Sequence, residues 1–267
     1  MKALILAAGL GTRLGPLTAN IPKCMLSVDG QPLLERLVRW VRAHGITQVA
    51  VNLHYHPEVI TAHLGDGSRF GVQITYSHEE TLLGTAGAVK QLAPFFADEP
   101  FVVVYGDGYT DLDLTHVVKL HAARRQPGQP HMTMVLFHVP NPSACGIVEL
   151  DADNTIARFV EKPAPDEVFS DLASAGVLVC EPSILDLIPD TLPSDFGRDV
   201  LPLLLERSVP VYGEPLADDE LLIDIGTPAA FERACAHARA QTFPEDTSAI
   251  TPVPVGAAPR SHRRGLS

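Results

Sequence analysis

An arginine and a lysine lie near the amino terminus, in a segment that also carries glycines. Gly9 and Gly11 follow a short apolar run, Arg13 comes shortly after them, and Lys23 directly follows a proline. Glycine lets the backbone approach a phosphate closely, and the two cations add positive charge for the same oxygen atoms. The segment therefore predicts a site for the phosphates of a nucleotide.

Two other kinds of phosphate-binding loop share only part of this pattern. A strand followed by Gly9 and Gly11, with Asp29 about 20 residues downstream, is similar to a dinucleotide-binding fingerprint. The next glycine, Gly15, lies one position too late for that fingerprint, and nearby prolines prevent a long helix from starting there. The Gly-Lys-Ser/Thr sequence of a P-loop occurs nowhere in the chain. Both alternatives are therefore disfavoured.

Two aspartates follow apolar runs at turns, far apart in the sequence. Asp107 and Asp224 each have a glycine within two residues. Open α/β sheets bind ligands at the carboxyl ends of their strands, and Mg²⁺ typically takes one or two carboxylates and completes its shell with phosphate oxygens and water. The pair therefore predicts one Mg²⁺ site, although each aspartate taken alone is more typical of a turn cap.

Alternating strands and helices are expected to position these residues. Apolar runs predict strands at 3–7, 48–53, 72–76, 101–105, 133–138, 146–150, 156–160 and 175–179, with short strands near residues 211 and 222. Helical periodicity predicts helices at 32–44, 58–64, 85–93, 114–124, 198–206 and 229–241. This alternation is typical of an α/β fold with a mostly parallel sheet and helices on both faces. The strand-rich part from residue 133 either extends that sheet or forms a flanking region, and Asp195 is expected to cap the helix that follows it.

Length, charge and cysteine content restrict the partners of the chain. Its 267 residues suffice for one large α/β domain, and a net charge of −12 disfavours nucleic acid and anionic membranes as partners. No secretory signal and no apolar stretch of the ~20 residues needed to span a bilayer is present. The four cysteines are scattered, as in proteins with reduced thiols. We therefore expect a cytoplasmic protein that binds small molecules. A homodimer is compatible with the sequence.

Six short motifs occur in the order in which they occur in the nucleoside-diphosphate-sugar pyrophosphorylases. They are Gly9-Leu10-Gly11-Thr12-Arg13-Leu14 with Pro22-Lys23, Leu83-Gly84-Thr85-Ala86-Gly87-Ala88, Gly106-Asp107, Glu161-Lys162-Pro163, Ala175-Gly176, and Asp224-Ile225-Gly226-Thr227-Pro228. The chain resembles this family of sugar-1-phosphate nucleotidyltransferases from residue 1 to about 240, and its mannose-1-phosphate guanylyltransferase-like members most. The resemblance implies an enzyme that joins a nucleoside triphosphate (NTP) to a sugar 1-phosphate and releases pyrophosphate.

The resemblance also implies a fold and a division of the chain. The fold is a Rossmann-like mixed, mostly parallel sheet with helices on both faces, the nucleotide-diphospho-sugar transferase fold. One nucleotidyltransferase domain covers residues 1–242, with a nucleotide half at about 1–130 and a sugar-phosphate half at about 131–242. Residues 243–267 are rich in proline, alanine and arginine and are expected to form a flexible tail.

Matching positions in the family imply the roles of individual residues. Nucleotide contacts are implied for Ala7, Ala8, Gly9, Gly11, Thr12, Arg13, Lys23, Glu80, Gly84, Thr85 and Gly106. Sugar-phosphate contacts are implied for Gly146, Glu161, Lys162, Ser174 and Gly176, and metal contacts for Asp107 and Asp224. Arg13, Lys23 and Lys162 are the expected catalytic residues, and Mg²⁺ is the expected cofactor.

The nucleobase and the acceptor are less constrained by the sequence. Glu79 and Glu80 precede Gly84 where this family usually carries its base-contacting residue, often Gln for uracil or thymine. A carboxylate only accepts hydrogen bonds, which suits the N1–H and N2–H₂ donors of guanine, so we expect GTP with Glu80 slightly preferred. The alternative is that Glu79 and Glu80 are two exposed acids of a loop with no contact to the base. In that case dTTP, UTP, ATP and CTP are equally compatible with the sequence.

The acceptor is expected to be a mannose or glucose 1-phosphate. Ser174 stands where many family members carry Asn, and a hydroxyl cannot reproduce the two-sided hydrogen bonding of an amide. Heptose, cyclitol and non-sugar phosphates therefore stay open as acceptors. A non-catalytic sensor of sugar nucleotides is the alternative class.

Overall fold

The computed structural model of the chain describes residues 1–97, 99–126 and 128–240. Its strands are β1 (Lys2–Leu6), β2 (Ser27–Val28), β3 (Gln31–Pro32), β4 (Gln48–Leu53), β5 (Gln73–His78), β6 (Phe101–Tyr105), β7 (Gly108–Thr110), β8 (Met132–His138), β9 (Gly146–Leu150), β10 (Ile156–Glu161), β11 (Leu172–Cys180), β12 (Val211–Pro215) and β13 (Leu222–Asp224). Its helices are α1 (Leu33–Ala43), α2 (Pro57–Leu64), α3 (Gly84–Gln91), α4 (Ala93–Phe96), α5 (Leu114–Ala123), α6 (Leu201–Glu206) and α7 (Pro228–Ala240). The tail predicted at 243–267 lies outside the described residues.

A mixed sheet with a parallel centre organises the molecule. The strands β6, β1, β4 and β5 lie side by side and run parallel, with β1 between β6 and β4. Ala3, Leu4 and Ile5 of β1 are completely buried, as expected for a strand that is covered on both faces. The predicted mixed sheet of the nucleotide-diphospho-sugar transferase fold is confirmed.

The strand-rich part of the chain extends this same sheet. Strand β11 pairs antiparallel with β6, and its other edge pairs with β8, which in turn pairs with β12. Strands β9 and β10 form an antiparallel pair that joins β11. Of the two arrangements that the sequence left open, the structure therefore shows the extended sheet.

Helices cover both faces of the sheet. Ala3 and Ile5 belong to a core with apolar residues of α1, α2, α5 and α7, whereas Leu4 belongs to a second core with residues of α3, α4 and α6. Successive residues of a strand point to opposite faces, so β1 contributes to both cores. None of the helices in the described ranges has the length and apolar character needed to cross a membrane.

A short two-stranded ribbon beside the main sheet determines the position of Asp224. Strands β7 and β13 pair antiparallel, and Asp224 lies opposite Gly108 in their register. The backbone N–H of Ile225 donates to the carbonyl oxygen of Asp107 over 2.9 Å. The ribbon therefore holds two aspartates that are distant in sequence next to each other.

The helix predicted at 198–206 differs from the structure at its start. A π-helical turn, Phe196–Val200, precedes α6, which carries Pro202 in its first turn. Proline has no N–H to donate to the preceding turn, so α6 starts afresh at Leu201. The prediction that Asp195 caps this helix is wrong, because its side chain makes no such hydrogen bond.

Candidate functional site

Four charged side chains from distant parts of the chain meet at one edge of the sheet. The ammonium Nζ of Lys23 lies 2.7 Å from Oδ2 of Asp107 and 3.0 Å from Oδ1 of Asp224. Nη2 of Arg13 lies 4.0 Å from Oδ2 of Asp224. The residues predicted to surround one polyphosphate are therefore close together, and Lys23 lies between the two carboxylates.

The glycine loop after β1 packs directly on Lys23. Gly11 has a φ of +65°, and a Cβ added to it would lie 3.0 Å from Cβ of Lys23. A residue with a side chain would thus be strained at this position and would also press on the lysine. Glycine therefore allows the loop to lie against Lys23, whose side chain is only 11% exposed.

The two aspartates are more accessible than the lysine. The side chain of Asp107 is 36% exposed and that of Asp224 is 49% exposed. Oδ1 of Asp224 also accepts a hydrogen bond of 2.8 Å from the backbone N–H of Gly226, which fixes the orientation of the carboxylate. The pair can therefore bind a cation from solvent while Lys23 holds its oxygens together.

A cavity of about 390 Å³ adjoins this charged cluster. Its wall includes seven of the predicted nucleotide contacts, namely Ala7, Ala8, Gly9, Lys23, Gly84, Thr85 and Gly106. The cavity is within the size range of small-ligand sites. Gly11, Thr12 and Arg13 lie on the loop beyond its wall, and Glu80 does not line it either.

Glu79, and not Glu80, faces the cavity. Oε1 of Glu79 accepts a hydrogen bond from Nδ2 of Asn52 over 2.8 Å, and its Oε2 accepts one from the backbone N–H of Leu83 over 3.0 Å. Oδ1 of Asn52 in turn accepts a hydrogen bond of 2.7 Å from the backbone N–H of Ala7. Through these contacts Glu79 connects the glycine loop to the start of α3, whereas Glu80 is exposed.

A segment from the second half of the chain closes the start of α3. Gly84 has a φ of +79°, and a Cβ added to it would overlap the carbonyl oxygen of Ser194. That oxygen accepts hydrogen bonds from the backbone N–H groups of Ala86 and Gly87. Oδ1 of Asp195 accepts one of 3.0 Å from the backbone N–H of Thr85. Asp195 therefore satisfies the amino-terminal end of α3 instead of capping its own helix.

A second cavity of about 570 Å³ adjoins the first. Its wall includes four of the predicted sugar-phosphate contacts, namely Gly146, Glu161, Lys162 and Ser174, and also Arg198. Thr85, Tyr105 and Asp195 line both cavities. Gly176, the fifth predicted contact, does not line the cavity and packs against Tyr105 with a φ of +71°.

The side chain of Lys162 is available to a ligand in this second cavity. It is 67% exposed, and its Nζ lies 3.9 Å from Oε1 of Glu161. The backbone of Lys162 has a φ of +49°, and its N–H donates to the carbonyl oxygen of Cys145 over 3.0 Å. The cavity therefore has a cation whose backbone is held by a hydrogen bond and whose ammonium is exposed to a ligand.

The thiols nearest the cavities stay protonated near neutral pH. Burial raises the pKa of Cys24 to about 12. Burial also raises the pKa of Cys145, to which the negative charges of Asp224 and Glu161 add. All four cysteines are free thiols. Neither cavity cysteine is therefore an activated nucleophile.

Several residues of the cavity walls were not among the predicted contacts. They are Asn52, Glu79 in its observed role, Tyr105, Asp195 and Arg198. Asn52 did carry a signal, because it is a polar residue near the carboxyl end of an otherwise apolar strand beside β1. Asp195 and Arg198 lie in the segment 195–199, which is similar to one near the sugar end of the nucleoside-diphosphate-sugar pyrophosphorylases, but the segment was interpreted mainly as a helix entry. Its position against α3 depends on how the second half of the chain folds back.

Replacing Lys23 by Met is expected to destabilise the protein and to increase its response to Mg²⁺. The change leaves two neighbouring carboxylates without their shared cation, which should cost about 1–2 kcal/mol for partly exposed partners. The melting temperature should therefore fall, and added Mg²⁺ should raise it more in the variant than in the parent. Thermal unfolding with and without Mg²⁺ measures both effects. Lys119→Met is the exposed control, and equal shifts in both proteins would contradict the expectation.

A family model and similar proteins of known function indicate the same protein family. A family model described as nucleotidyl transferase matches residues 2–241. The chain is 40% identical to a UTP–glucose-1-phosphate uridylyltransferase of Synechocystis over 85% of this chain and 60% of that protein. It is 35% identical to a mannose-1-phosphate guanylyltransferase of Mycobacterium tuberculosis over 88% of this chain and 64% of that protein. The chain thus spans about three fifths of the length of these relatives.

A solved structure shows the same fold. A crystal structure from Bacillus anthracis, assigned as a glucose-1-phosphate thymidylyltransferase in complex with a sucrose, matches with a TM-score of 0.78 and 25% identity. The match covers 91% of this chain and 97% of that one. The family resemblance of the sequence motifs is confirmed, and the chain belongs to the nucleotidyl transferase family.

Proposed function

We propose that this chain transfers a nucleotidyl group from an NTP to a sugar 1-phosphate, giving an NDP-sugar and pyrophosphate. The observation that carries the proposal is the meeting of Arg13, Lys23, Asp107 and Asp224 beside a cavity. A second cavity, with Lys162 in its wall, adjoins the first. Two adjoining cavities suit a reaction between two bound substrates, and family membership supports the same chemistry.

The two aspartates suit a hard divalent cation such as Mg²⁺. Their carboxylates approach one ammonium group from two sides, so oxygen atoms of both converge on a small volume. Carboxylate oxygens are preferred Mg²⁺ ligands, and the exposure of both side chains leaves access for phosphate oxygens and water. A bound Mg²⁺ supplies positive charge that stabilises the phosphate oxygens during the reaction.

The side chains of this protein position the reactants and neutralise their charge. A sugar phosphate has a second pKa of about 6, so it is mostly a dianion near neutral pH and needs no general base. Its oxygen forms a bond to the α-phosphorus of the NTP while the bond to pyrophosphate breaks. Lys162 holds the attacking phosphate in line, and Arg13 and Lys23 stabilise the leaving pyrophosphate.

GTP is the nucleotide that we propose, on the chemistry of Glu79. Each oxygen of this carboxylate already accepts one protein hydrogen bond and retains a second lone pair. Guanine offers adjacent N1–H and N2–H₂ donors, and an acceptor-only side chain in the cavity wall suits them. The 35% identical guanylyltransferase supports GTP, whereas the 40% identical uridylyltransferase makes UTP the second candidate.

Replacing Glu79 by Gln is expected to lower the preference for GTP over UTP about tenfold or more. The amide loses one acceptor oxygen and presents a donor to guanine, which costs on the order of 1.4 kcal/mol or more. The ratio of the two kcat/KM values measures the effect and cancels any general loss from the weakened contact with Leu83. Glu80→Gln is the matched control, because Glu80 is the exposed neighbour. An unchanged ratio in Glu79→Gln would argue against guanine contact at this position.

The acceptor that we propose is a hexose 1-phosphate. The hydroxyl of Ser174 accepts a hydrogen bond of 3.3 Å from the backbone N–H of Gly176, so part of its capacity is used locally. Glu161 offers carboxylate oxygens to sugar hydroxyls in the same cavity. Mannose 1-phosphate and glucose 1-phosphate are the acceptors that we propose first, and heptose and cyclitol phosphates are the next candidates.

Release of pyrophosphate tests the proposed function directly. The purified chain is incubated with each of the five NTPs, Mg²⁺ and a panel of hexose, heptose, cyclitol and choline phosphates. Pyrophosphate should appear with at least one pairing and should require both substrates. Its absence from every pairing, together with a rise in melting temperature on adding an NDP-sugar, would support a non-catalytic sensor instead.

A further inference from the structure

Two histidines and a glutamate form a buried cluster that lines neither of the two cavities. His121 lies near the end of α5, His131 directly precedes β8, and Glu181 directly follows β11. The end of β11 pairs with the start of β6, whereas Asp107 follows the end of β6. The cluster therefore lies at the edge of the sheet opposite the charged site.

All three side chains are withdrawn from solvent. His121 is 1% exposed, His131 is 2% exposed and Glu181 is 5% exposed. One potential ligand atom from each residue lies within 4.8 Å of the other two. The cluster thus brings two imidazoles and a carboxylate close enough to share an ion after small side-chain rotations.

One ring nitrogen of each histidine is already engaged with a protein oxygen. Nδ1 of His121 lies 3.0 Å from the hydroxyl of Thr133, and Nε2 of His131 lies 3.2 Å from the carbonyl oxygen of His121. A hydrogen bond from one ring nitrogen to a backbone carbonyl or another protein oxygen is the usual way in which the imidazole of a metal ligand is oriented. In each histidine, the contact at one ring nitrogen leaves the other ring nitrogen available for a metal.

Two polar atoms of the cluster lack a well-oriented hydrogen bond. Nε2 of His121 and Oε1 of Glu181 are buried, lie 3.5 Å apart and make no hydrogen bond of normal geometry within the described residues, although Oε1 forms an ion pair with Arg125. In the tautomer with the proton on Nδ1, a lone pair of the ring faces the carboxylate oxygen, and in the other tautomer Nε2–H still lies 3.5 Å from it, which is long for a hydrogen bond. Buried polar atoms without a close partner carry a desolvation cost. A cation between them removes that cost.

We propose that His121, His131 and Glu181 bind one divalent transition-metal ion, with Zn²⁺ as the preferred metal. Two imidazoles and a carboxylate form a common ligand set for Zn²⁺, and they suit it better than Mg²⁺, which prefers oxygen atoms alone. The ion joins the end of α5 to the start of β8 and the end of β11, so its role is structural and separate from catalysis.

Arg125 is compatible with this site and limits its affinity. Its Nε lies 3.0 Å from Oε1 and 3.1 Å from Oε2 of Glu181. Each carboxylate oxygen has two lone pairs, so Glu181 can contact Arg125 and an ion together. The positive charge of Arg125 also opposes that of the ion, and Arg125→Gln should therefore strengthen metal binding.

Zinc binding by the full chain tests the proposal. The chain carries Asp107→Asn to weaken the other cation site, is stripped with a chelator, and then competes with a chromophoric chelator for Zn²⁺ at pH 7.5. We expect one equivalent of bound Zn²⁺. Adding His131→Gln or Glu181→Gln should weaken binding at least about tenfold. Adding His138→Gln, at the exposed end of β8, should leave it unchanged.

A spectroscopic measurement covers the case in which the cluster variants fail to fold. Co²⁺ bound to the intact cluster should give the intense visible absorption of a low-coordinate nitrogen and oxygen site. Bound Zn²⁺ should also raise the melting temperature of the Asp107→Asn protein. The proposal is overturned if this protein binds no Zn²⁺, if folded His131→Gln binds it equally well, or if Co²⁺ shows only weak six-coordinate absorption.

Discussion

Asp107→Asn is expected to lower kcat/KM for pyrophosphate release about a thousandfold. The substitution keeps the size of the side chain but removes a charge that contacts Lys23 and converges with Asp224. Loss of one preorganised electrostatic group in a reaction centre typically costs 10²- to 10³-fold, and here the affinity for the cation falls as well. Most of the loss should appear in kcat, because the walls of both cavities otherwise stay intact.

Steady-state rates at several Mg²⁺ concentrations separate the two causes. A weakened cation site predicts that high Mg²⁺ restores part of the rate, whereas the electrostatic loss stays. Asp219→Asn is the control, because Asp219 is exposed in the turn that follows β12. A kcat/KM within tenfold of the parent at every Mg²⁺ concentration would remove Asp107 from the proposed mechanism.

The local parts of the charged site could be predicted because chemistry and position coincide in the sequence. A buried strand, two glycines and Arg13 lie within one short segment, and the carboxyl ends of parallel strands meet at one edge of a sheet. The approach of Asp224 to Asp107 depends on the β7–β13 ribbon, whose strands have only three residues each. Pairs that short leave almost no pattern in the sequence, so the two aspartates were linked by their similar positions at turns and by the family resemblance, and not by a predicted pairing of these strands.

The choice between Glu79 and Glu80 shows a limit of sequence reasoning. The backbone N–H of Glu79 donates to the carbonyl oxygen of Leu53, so the pairing of β5 with β4 continues one residue beyond the strand. Successive residues of a strand point in opposite directions, and a shift of one position exchanges the buried acid for the exposed one. The spacing to Gly84 allowed both residues, and the slight preference for Glu80 had no information on this register, whereas Glu79 is the acid in the cavity wall.

The contacts between the two halves of the chain could not be predicted from local sequence patterns. Asp195 satisfies the start of α3 from more than a hundred residues away. His121, His131 and Glu181 meet because α5 and β11 end, and β8 starts, at the same edge of the sheet. Each of these residues alone has the sequence context of an ordinary helix end or strand end. Such clusters therefore follow from topology and not from motifs.

Lys162→Met is expected to lower kcat/KM for the sugar phosphate by about 10²- to 10³-fold while the KM for the NTP changes little. Lys162 lines the second cavity and not the first, and its exposed ammonium can hold the attacking phosphate there. Its φ of +49° would be equally unfavourable for Met, so the substitution adds no backbone strain. The hydrogen bond from its N–H to Cys145 is kept as well. The melting temperature should therefore stay close to that of the parent.

The division of the loss between kcat and KM reveals what Lys162 does. If it only binds the sugar phosphate, KM for that substrate rises, kcat stays constant, and saturating sugar phosphate restores the rate. If it holds the phosphate in line for attack, kcat falls and saturation restores nothing, which is the result that we expect. Lys119→Met, on the exposed side of α5, should behave like the parent in both constants. An unchanged kcat in Lys162→Met would reduce the role of this residue to ground-state binding, because a group that aligns the attacking oxygen must affect the step in which that oxygen bonds to phosphorus.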